Sequence, residues 1–249
     1  MGNLIRADIQ RIFKTGIMRL MFPLTFVIVL ATAFYVAGVN DNVFNFVYRE
    51  MEMLQLLGCL VFGPVVFRCV FVDEFRVMAI TTAIGFGFTR KKIYLAKIVD
   101  SYLIMLFLNL FAMVMLFGVG AVCGYFPDMD AVILILVDSV YSVYFAEGTV
   151  IFSALVLYIS NNIPLSYFSY FLISLLIPAG IYYLEYIPFF ARLHISRYIY
   201  YGLGDMAATF FFLNMPAEGM IMFVTGTLAY LGLAVFFSIK YLEKKELDF

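Results

Sequence analysis

Long apolar stretches alternate with short polar segments along the whole chain. Each of six stretches is about as long as a helix that crosses the hydrocarbon core of a bilayer, which needs about 20 mostly apolar residues. The pattern therefore predicts an all-α membrane protein, with six transmembrane helices in a single domain over residues 1–249. The predicted spans are Leu20–Val39, Leu54–Val72, Ile93–Val122, Ala131–Ile159, Leu165–Ile181 and Gly219–Ile239.

The segment before the first span, residues 1–19, is amphipathic. At 100° per residue, one side of a helix here would be apolar and the opposite side polar. This pattern predicts a helix that lies in the cytoplasmic membrane interface, the alternative being an ordinary polar flank of the first span. The apolar side holds Ile5, Ile9, Ile12 and Phe13, and the polar side holds Asn3, Arg6, Gln10 and Lys14.

Composition and charge agree with a membrane location. Hydrophobic residues make up 65% of the chain and charged residues only 13%, whereas soluble domains are about half apolar and a quarter charged. Positive residues favour the cytoplasmic side, and their asymmetry predicts a multi-pass protein of the cell membrane with both termini in the cytoplasm. Under that topology the outer segments carry only Arg49, Arg192 and Arg197, while Arg68 lies inside a span.

The outer segment 182–218 is unusually long and rich in tyrosine and phenylalanine. Aromatic rings favour the membrane–water interface. The segment is therefore predicted to form short re-entrant helices before the last span, shielded from lipid by protein. Tyr198, Tyr201 and Phe211 are the candidates for an outer gate.

Ionisable residues within the spans are candidates for function, because charge is costly in lipid. Lys97 and Asp100 are three residues apart and are predicted to pair, with snorkelling toward the cytoplasm explaining their position. Glu147 lies near the middle of its span and is predicted to face a wet cavity or a partner, with Arg68 as the candidate partner. The structural and functional interpretations of Glu147 are equally favoured.

Signatures of catalysis or nucleotide binding are weak or missing in the sequence. Gly85–Arg90 has two of the glycines of a phosphate-binding loop but no third, and no strand precedes it, so any ATP-driven work needs a separate subunit. A single histidine and three scattered cysteines predict no metal site. Gly202–Asp205 fits the G-x-G-D pattern of intramembrane aspartyl proteases. These enzymes need a second aspartate, in a Tyr-Asp pair of another span, and the chain has no such pair there, which makes this a remote alternative.

The cytoplasmic loop 73–92 supports a family resemblance. Glu74 opens a run compatible with a short helix, followed by Gly87, by Thr89-Arg90 and by the Ile93–Lys97 start of the next span. This order resembles the loop of ABC-2-type permeases, the membrane subunits of a large group of ABC exporters. The layout of the whole chain is also similar to theirs.

The resemblance implies a coupling helix that docks on an ATP-hydrolysing subunit, which would hold ATP and Mg. It also implies a second permease subunit, either an identical or a different one, with the cargo path between the two. No cofactor, catalytic residue or nucleic acid is expected on this chain. The residues implied in coupling are Glu74, Phe75, Arg76, Met78, Ile80 and Arg90.

The cargo is predicted from the composition of the spans. The chain is 19% aromatic and has few charges within the membrane, which favours an apolar or amphipathic cargo over an ion or a sugar. The small exporters that the chain resembles include those of antimicrobial peptides and phenol-soluble modulins, so a membrane-active peptide is the first expectation. The main alternative is a stand-alone channel or proton-coupled transporter that uses Glu147, and a membrane scaffold is a third.

Overall fold

The computed structural model describes residues 2–38, 53–77, 79–122, 124, 128–187, 192, 194, 200, 202–203 and 217–244. Within these residues every regular element is a helix, which confirms the predicted all-α class. The helices are α1 (Gly2–Lys14), α2 (Gly16–Gly38), α3 (Met53–Phe75), α4 (Ala79–Gly85), α5 (Arg90–Val122), α6 (Met129–Ser160), α7 (Ile163–Leu184) and α8 (Ala217–Lys244).

In the described part of the chain, five helices are long and apolar enough to cross a membrane, namely α3, α5, α6, α7 and α8. The bent pair α1–α2, counted as one span, brings the number to six. Helices α5 and α6 have 33 and 32 residues, more than a crossing requires. The described part of the chain therefore contains five to six helices of membrane-spanning length, in the order that the apolar stretches predict.

Helix α1 meets α2 at an angle of 64°. A helix end leaves carbonyl groups without donors, and side chains at the joint supply them: Thr15 Oγ1 donates to Ile12 O at 2.6 Å and Arg19 Nη2 to Lys14 O at 2.6 Å. Ile12 is buried, whereas the predicted polar side of α1 is exposed. The bend thus directs the apolar side of α1 toward the other helices.

Helix α3 departs from regular α-helix on both sides of Gly63-Pro64. Its turns at Leu57–Phe62 and Arg68–Val72 are π-helical. In a π-helix the amide of residue 64 would donate to the carbonyl of Cys59, but proline has no N–H. Tyr170 of α7 donates its hydroxyl to that carbonyl instead, at 2.7 Å. A Cβ on Gly63 would occupy the place of the Tyr170 hydroxyl, so this contact depends on the glycine.

Helix α6 is the centre of the bundle. It packs against α3, α5, α7 and α8, and its apolar window is the most buried of the five described spans. Helices α7 and α8 are much more exposed. Because α6 carries Asp138, Tyr144 and Glu147, the fold places the polar residues of this span among the other helices.

We expect Asn162→Ala to lower the free energy of unfolding by about 1 kcal/mol, since an N-cap is lost. Asn162 begins α7, and its side-chain oxygen accepts from the amide of Leu165 at 3.1 Å. Thermal unfolding in detergent measures the effect. Asn162→Asp is the control, because aspartate can accept the same hydrogen bond. Equal destabilisation by both variants would contradict a capping role.

Candidate functional site

Five charged side chains from three helices form a cluster, which we call the charge cluster. It consists of Asp8 and Arg11 of α1, Glu74 of α3, and Lys97 and Asp100 of α5. Lys97 Nζ donates to Asp8 Oδ2 at 2.5 Å and also to Glu74 Oε1. Arg11 donates to the same oxygen of Glu74. The amine of Lys97 thus joins α1, α3 and α5 at one point.

Three members of the charge cluster, Glu74, Lys97 and Asp100, are buried, whereas Asp8 is partly buried and Arg11 is exposed. Glu74 is 4% exposed and Lys97 is 3% exposed. A buried charge is costly unless an opposite charge and hydrogen bonds compensate it. The predicted pair Lys97–Asp100 is present at 3.9 Å, but Lys97 turns inward to Asp8 and Glu74 and does not snorkel outward. The snorkelling interpretation is wrong because α1 and α3 bring carboxylates to Lys97 that a single-helix view omits.

Three of the residues assigned to coupling, Glu74, Phe75 and Arg90, make contacts within the protein. Glu74 and Lys97 lie on the two sides of the loop that contains α4, and both are engaged inside the protein. Phe75 is half-buried and packs on the hydrophobic core. Arg90 donates to the carbonyls of Leu242 and Glu243, at 2.7 and 2.9 Å, near the end of α8.

The structure describes only some of the other residues of this loop. The side chains of Arg76 and Ile80, and all of Met78, lie outside the described part. Phe86, in the turn between α4 and α5, is 79% exposed. Phe86 is not among the residues predicted from the sequence, although an aromatic residue between two glycines at a loop tip was the available signal. It is the exposed aromatic candidate for a docking contact on the described part of this loop.

Glu147 belongs to a second group of buried polar side chains. Its side chain is 6% exposed, and its Oε1 accepts from Ser101 Oγ at 2.5 Å. Its Oε2 is buried and has no hydrogen-bond partner among the described residues. The partner suggested for it, Arg68, pairs with Asp73 at 3.7 Å and is about half exposed. The pairing of Arg68 with Glu147 is therefore wrong: the sequence gives the depth of a residue in a span but not the direction it faces.

A cavity of about 540 Å³ lies beside Glu147, between α5, α6 and α8. Its walls are mainly aliphatic and aromatic. Asn109 and Ser139 also line it, with Ser139 Oγ donating to Asn109 Oδ1 at 2.5 Å. The Nδ2 of Asn109 is buried without a hydrogen-bond partner in the described chain. Glu147, Asn109 and Ser139 thus give polar groups to a cavity whose lining is otherwise mostly apolar.

Two stacked tyrosine rings line this cavity. The ring centroids of Tyr144 and Tyr200 are 4.4 Å apart. Tyr200 donates to the carbonyl of Tyr144 at 2.8 Å, and burial raises the pKa of its hydroxyl well above the ordinary value, so it remains a donor. The hydroxyl of Tyr144 lies 3.0 Å from Thr227 Oγ1 of α8. Tyr144 and Glu147 are three residues apart on α6, a spacing that could have suggested a shared face.

A second cavity of about 450 Å³ lies between α3, α6 and α7. Gln55 lines it and donates to Asp138 Oδ1 at 2.6 Å. Ser174 also lines it, and its hydroxyl is without a partner among the residues that the structure describes. Asp138 is thus held by an amide of α3 and is separate from the lining of the larger cavity.

Several residues that the sequence singled out lie where the structure does not describe the chain. Tyr198, Tyr201 and Phe211, the outer gate candidates, lie outside the described residues, as does Asp205. Within the described chain, no group of three or more histidine, cysteine, aspartate or glutamate side chains could hold a metal ion. The sequence pattern did not indicate Asp8, Ser101, Asn109 or Tyr144, because their partners are distant along the chain.

No protein-family model matches this chain, and no curated protein matches it.

Proposed function

We propose that the chain is the permease subunit of an ATP-driven exporter of the ABC-2 type, which moves an apolar or amphipathic cargo. The observation that carries the proposal is the charge cluster. Glu74 precedes the loop with α4, Lys97 follows it, and one amine joins both sides of the loop to α1. A force applied to this loop would therefore reach three helices at once.

This arrangement suits a protein that receives work from a partner. An ATPase subunit that holds ATP and Mg would press on the turn at α4, and the cluster would pass the displacement to α3 and α5. Packed helices shift as rigid bodies, which allows a local push to change a distant opening. Arg90 extends the linkage to the end of α8 through two carbonyl groups.

The proposal includes a membrane arrangement. The α1 helix lies in the cytoplasmic interface, both termini are cytoplasmic, and the aromatic segment 182–218 forms re-entrant helices on the outer side. Two permeases, identical or different, pair around the cargo path. The exposed basic residues Arg6 and Lys14 on α1 suit anionic lipid headgroups.

The test of the proposal is co-purification with an ATPase subunit that contains a phosphate-binding loop, followed by assays of ATP hydrolysis. We expect a stable complex whose hydrolysis rises with an amphipathic peptide. Transport of the peptide by the chain alone in liposomes would overturn the proposal. That outcome would favour the second candidate, a proton-coupled transporter, which the buried Glu147 beside a cavity supports.

We expect Phe86→Ala to weaken the binding of the ATPase subunit by about tenfold or more, since exposed aromatic anchors often dominate interfaces. The unfolding temperature should not change, because the ring is 79% exposed in the isolated chain. Pull-down titration measures the affinity. Phe168→Ala is the matched control, as Phe168 is an exposed phenylalanine on α7. Equal affinity of the Phe86 variant and wild type would exclude this turn as the docking site.

A further inference from the structure

The lining of the cavity between α5, α6 and α8 is mostly apolar, as in binding sites for small apolar molecules. Leu103, Leu110, Val140, Ile151 and Phe223 are among its lining residues. Binding pockets are mostly apolar and contain a few polar groups that fix orientation. The volume of about 540 Å³ is within the usual range of pockets for small molecules.

The charge of the lining is one-sided. Glu147 is the acidic residue that lines the cavity, and no lysine or arginine is among its described lining residues. Lys97, the basic residue of α5 nearest in sequence to Ser101, is engaged by Asp8, Glu74 and Asp100. The cavity therefore offers a carboxyl group, and no basic side chain among its described lining residues pairs with it.

Two buried polar atoms at the cavity still need partners. Glu147 Oε2 and Asn109 Nδ2 have no hydrogen-bond partner in the described structure, and their side chains are 6% and 1% exposed. An unsatisfied polar atom in the interior is destabilising, and an unpaired charge much more so. A cationic ligand would favour the ionised form of Glu147 and would give its Oε2 a partner.

The stacked tyrosines add a second source of attraction for a cation. Tyr144 and Tyr200 both line the cavity, and their rings stack with centroids 4.4 Å apart. The face of an aromatic ring attracts a cation, most strongly where water is excluded. A carboxylate, two aromatic rings and aliphatic walls together suit a ligand that is both cationic and apolar.

We propose that this cavity binds a lipophilic organic cation, with Glu147 as the counter-charge and Tyr144 and Tyr200 as the aromatic wall. That the bound cation is the cargo rests on the proposed export function, and it narrows the amphipathic cargo to a cationic one. Binding itself needs only this chain. It can therefore be tested without any ATPase subunit.

The experiment measures binding of radiolabelled tetraphenylphosphonium to the purified full chain in lipid nanodiscs by equilibrium dialysis. Tetraphenylborate is the matched control ligand, because it has nearly the same shape and the opposite charge. Glu147→Gln keeps the size of the side chain and a hydrogen-bond acceptor for Ser101, but it removes the charge. Asp138→Asn is the matched control variant, since Asp138 is a buried carboxylate of the same helix that pairs with Gln55.

We expect wild-type nanodiscs to bind tetraphenylphosphonium in excess of empty nanodiscs of the same lipid, and to show no such excess for tetraphenylborate. Glu147→Gln should bind at least about tenfold more weakly, and Asp138→Asn should stay within about twofold of wild type. Absence of binding by wild type, equal affinity of the Glu147 variant, or equal binding of the anion would each overturn the proposal. Failure to find an ATPase partner would leave these results unchanged, which separates the two proposals.

Discussion

Replacing Lys97 with methionine is expected to lower the free energy of unfolding by about 3–5 kcal/mol, the usual cost of removing one partner from a buried ion pair. The lysine amine is the common partner of Asp8, Glu74 and Asp100. Without it, Arg11 remains on Glu74, but Asp100 loses its only ion-pair partner among the described residues. Methionine fills the space of the lysine stem, so the effect reports charge more than volume. Denaturant or thermal unfolding in detergent measures the change.

The control for this prediction is Lys92→Met. Lys92 belongs to the same helix but is exposed, and surface substitutions of this kind usually change stability by less than about 0.5 kcal/mol. The double variant Glu74→Gln/Lys97→Met should be less destabilised than the sum of the two single variants, since each removes the same interaction. Strictly additive losses, or a Lys97 variant as stable as the Lys92 variant, would show that the cluster does not hold the three helices together.

The charge cluster also decides how coupling variants should be interpreted. Glu74→Ala removes a carboxylate that is 4% exposed and holds both Lys97 and Arg11. Loss of ATPase binding in that variant could therefore follow from a disturbed bundle. Phe86→Ala separates docking from folding, because the Phe86 ring is on the surface of the described chain.

Local sequence patterns predicted those features that depend on neighbours along the chain. Apolar runs gave the helices of spanning length, since hydropathy depends on composition alone. The 100° periodicity gave the apolar side of α1, where Ile12 is buried. The three-residue spacing of Lys97 and Asp100 gave their ion pair.

Contacts between distant parts of the chain were not predictable in this way. Asp8 and Lys97 are 89 positions apart, and Ser101 and Glu147 are 46 apart. A hydropathy pattern gives the depth of a residue but not its direction around the helix axis, which is why Arg68 was wrongly matched with Glu147. The hydroxyl of Tyr170 reaches the Cys59 carbonyl of α3 across 111 positions of the chain, a contact that depends on how α7 packs.

Gly148→Ala is expected to displace the aromatic wall of the larger cavity. Gly148 follows Glu147 on α6, and a Cβ at this position would overlap Cε1, Cζ and the hydroxyl oxygen of Tyr200. The ring must then move, which would break its stack with Tyr144 and its hydrogen bond to the Tyr144 carbonyl. We expect a loss of about 1–3 kcal/mol in the free energy of unfolding, as for other overpacked interiors.

The same variant should lose most of its affinity for tetraphenylphosphonium, by about tenfold or more, because both the aromatic face and the shape of the site change. Gly118→Ala is the matched control: Gly118 is in α5, and a Cβ there would meet no atom of the described structure within 4 Å. Alanine in a helix interior is more favourable than glycine by about 0.5–1 kcal/mol, so this variant should be as stable as wild type or more so. If Gly148→Ala matched Gly118→Ala in both stability and binding, Tyr200 could not be packed against α6 beside Glu147. The cavity would then have no aromatic wall. Loss of stability and of affinity in the Gly148 variant alone would instead show that recognition of the cation depends on the packing of the Tyr200 ring.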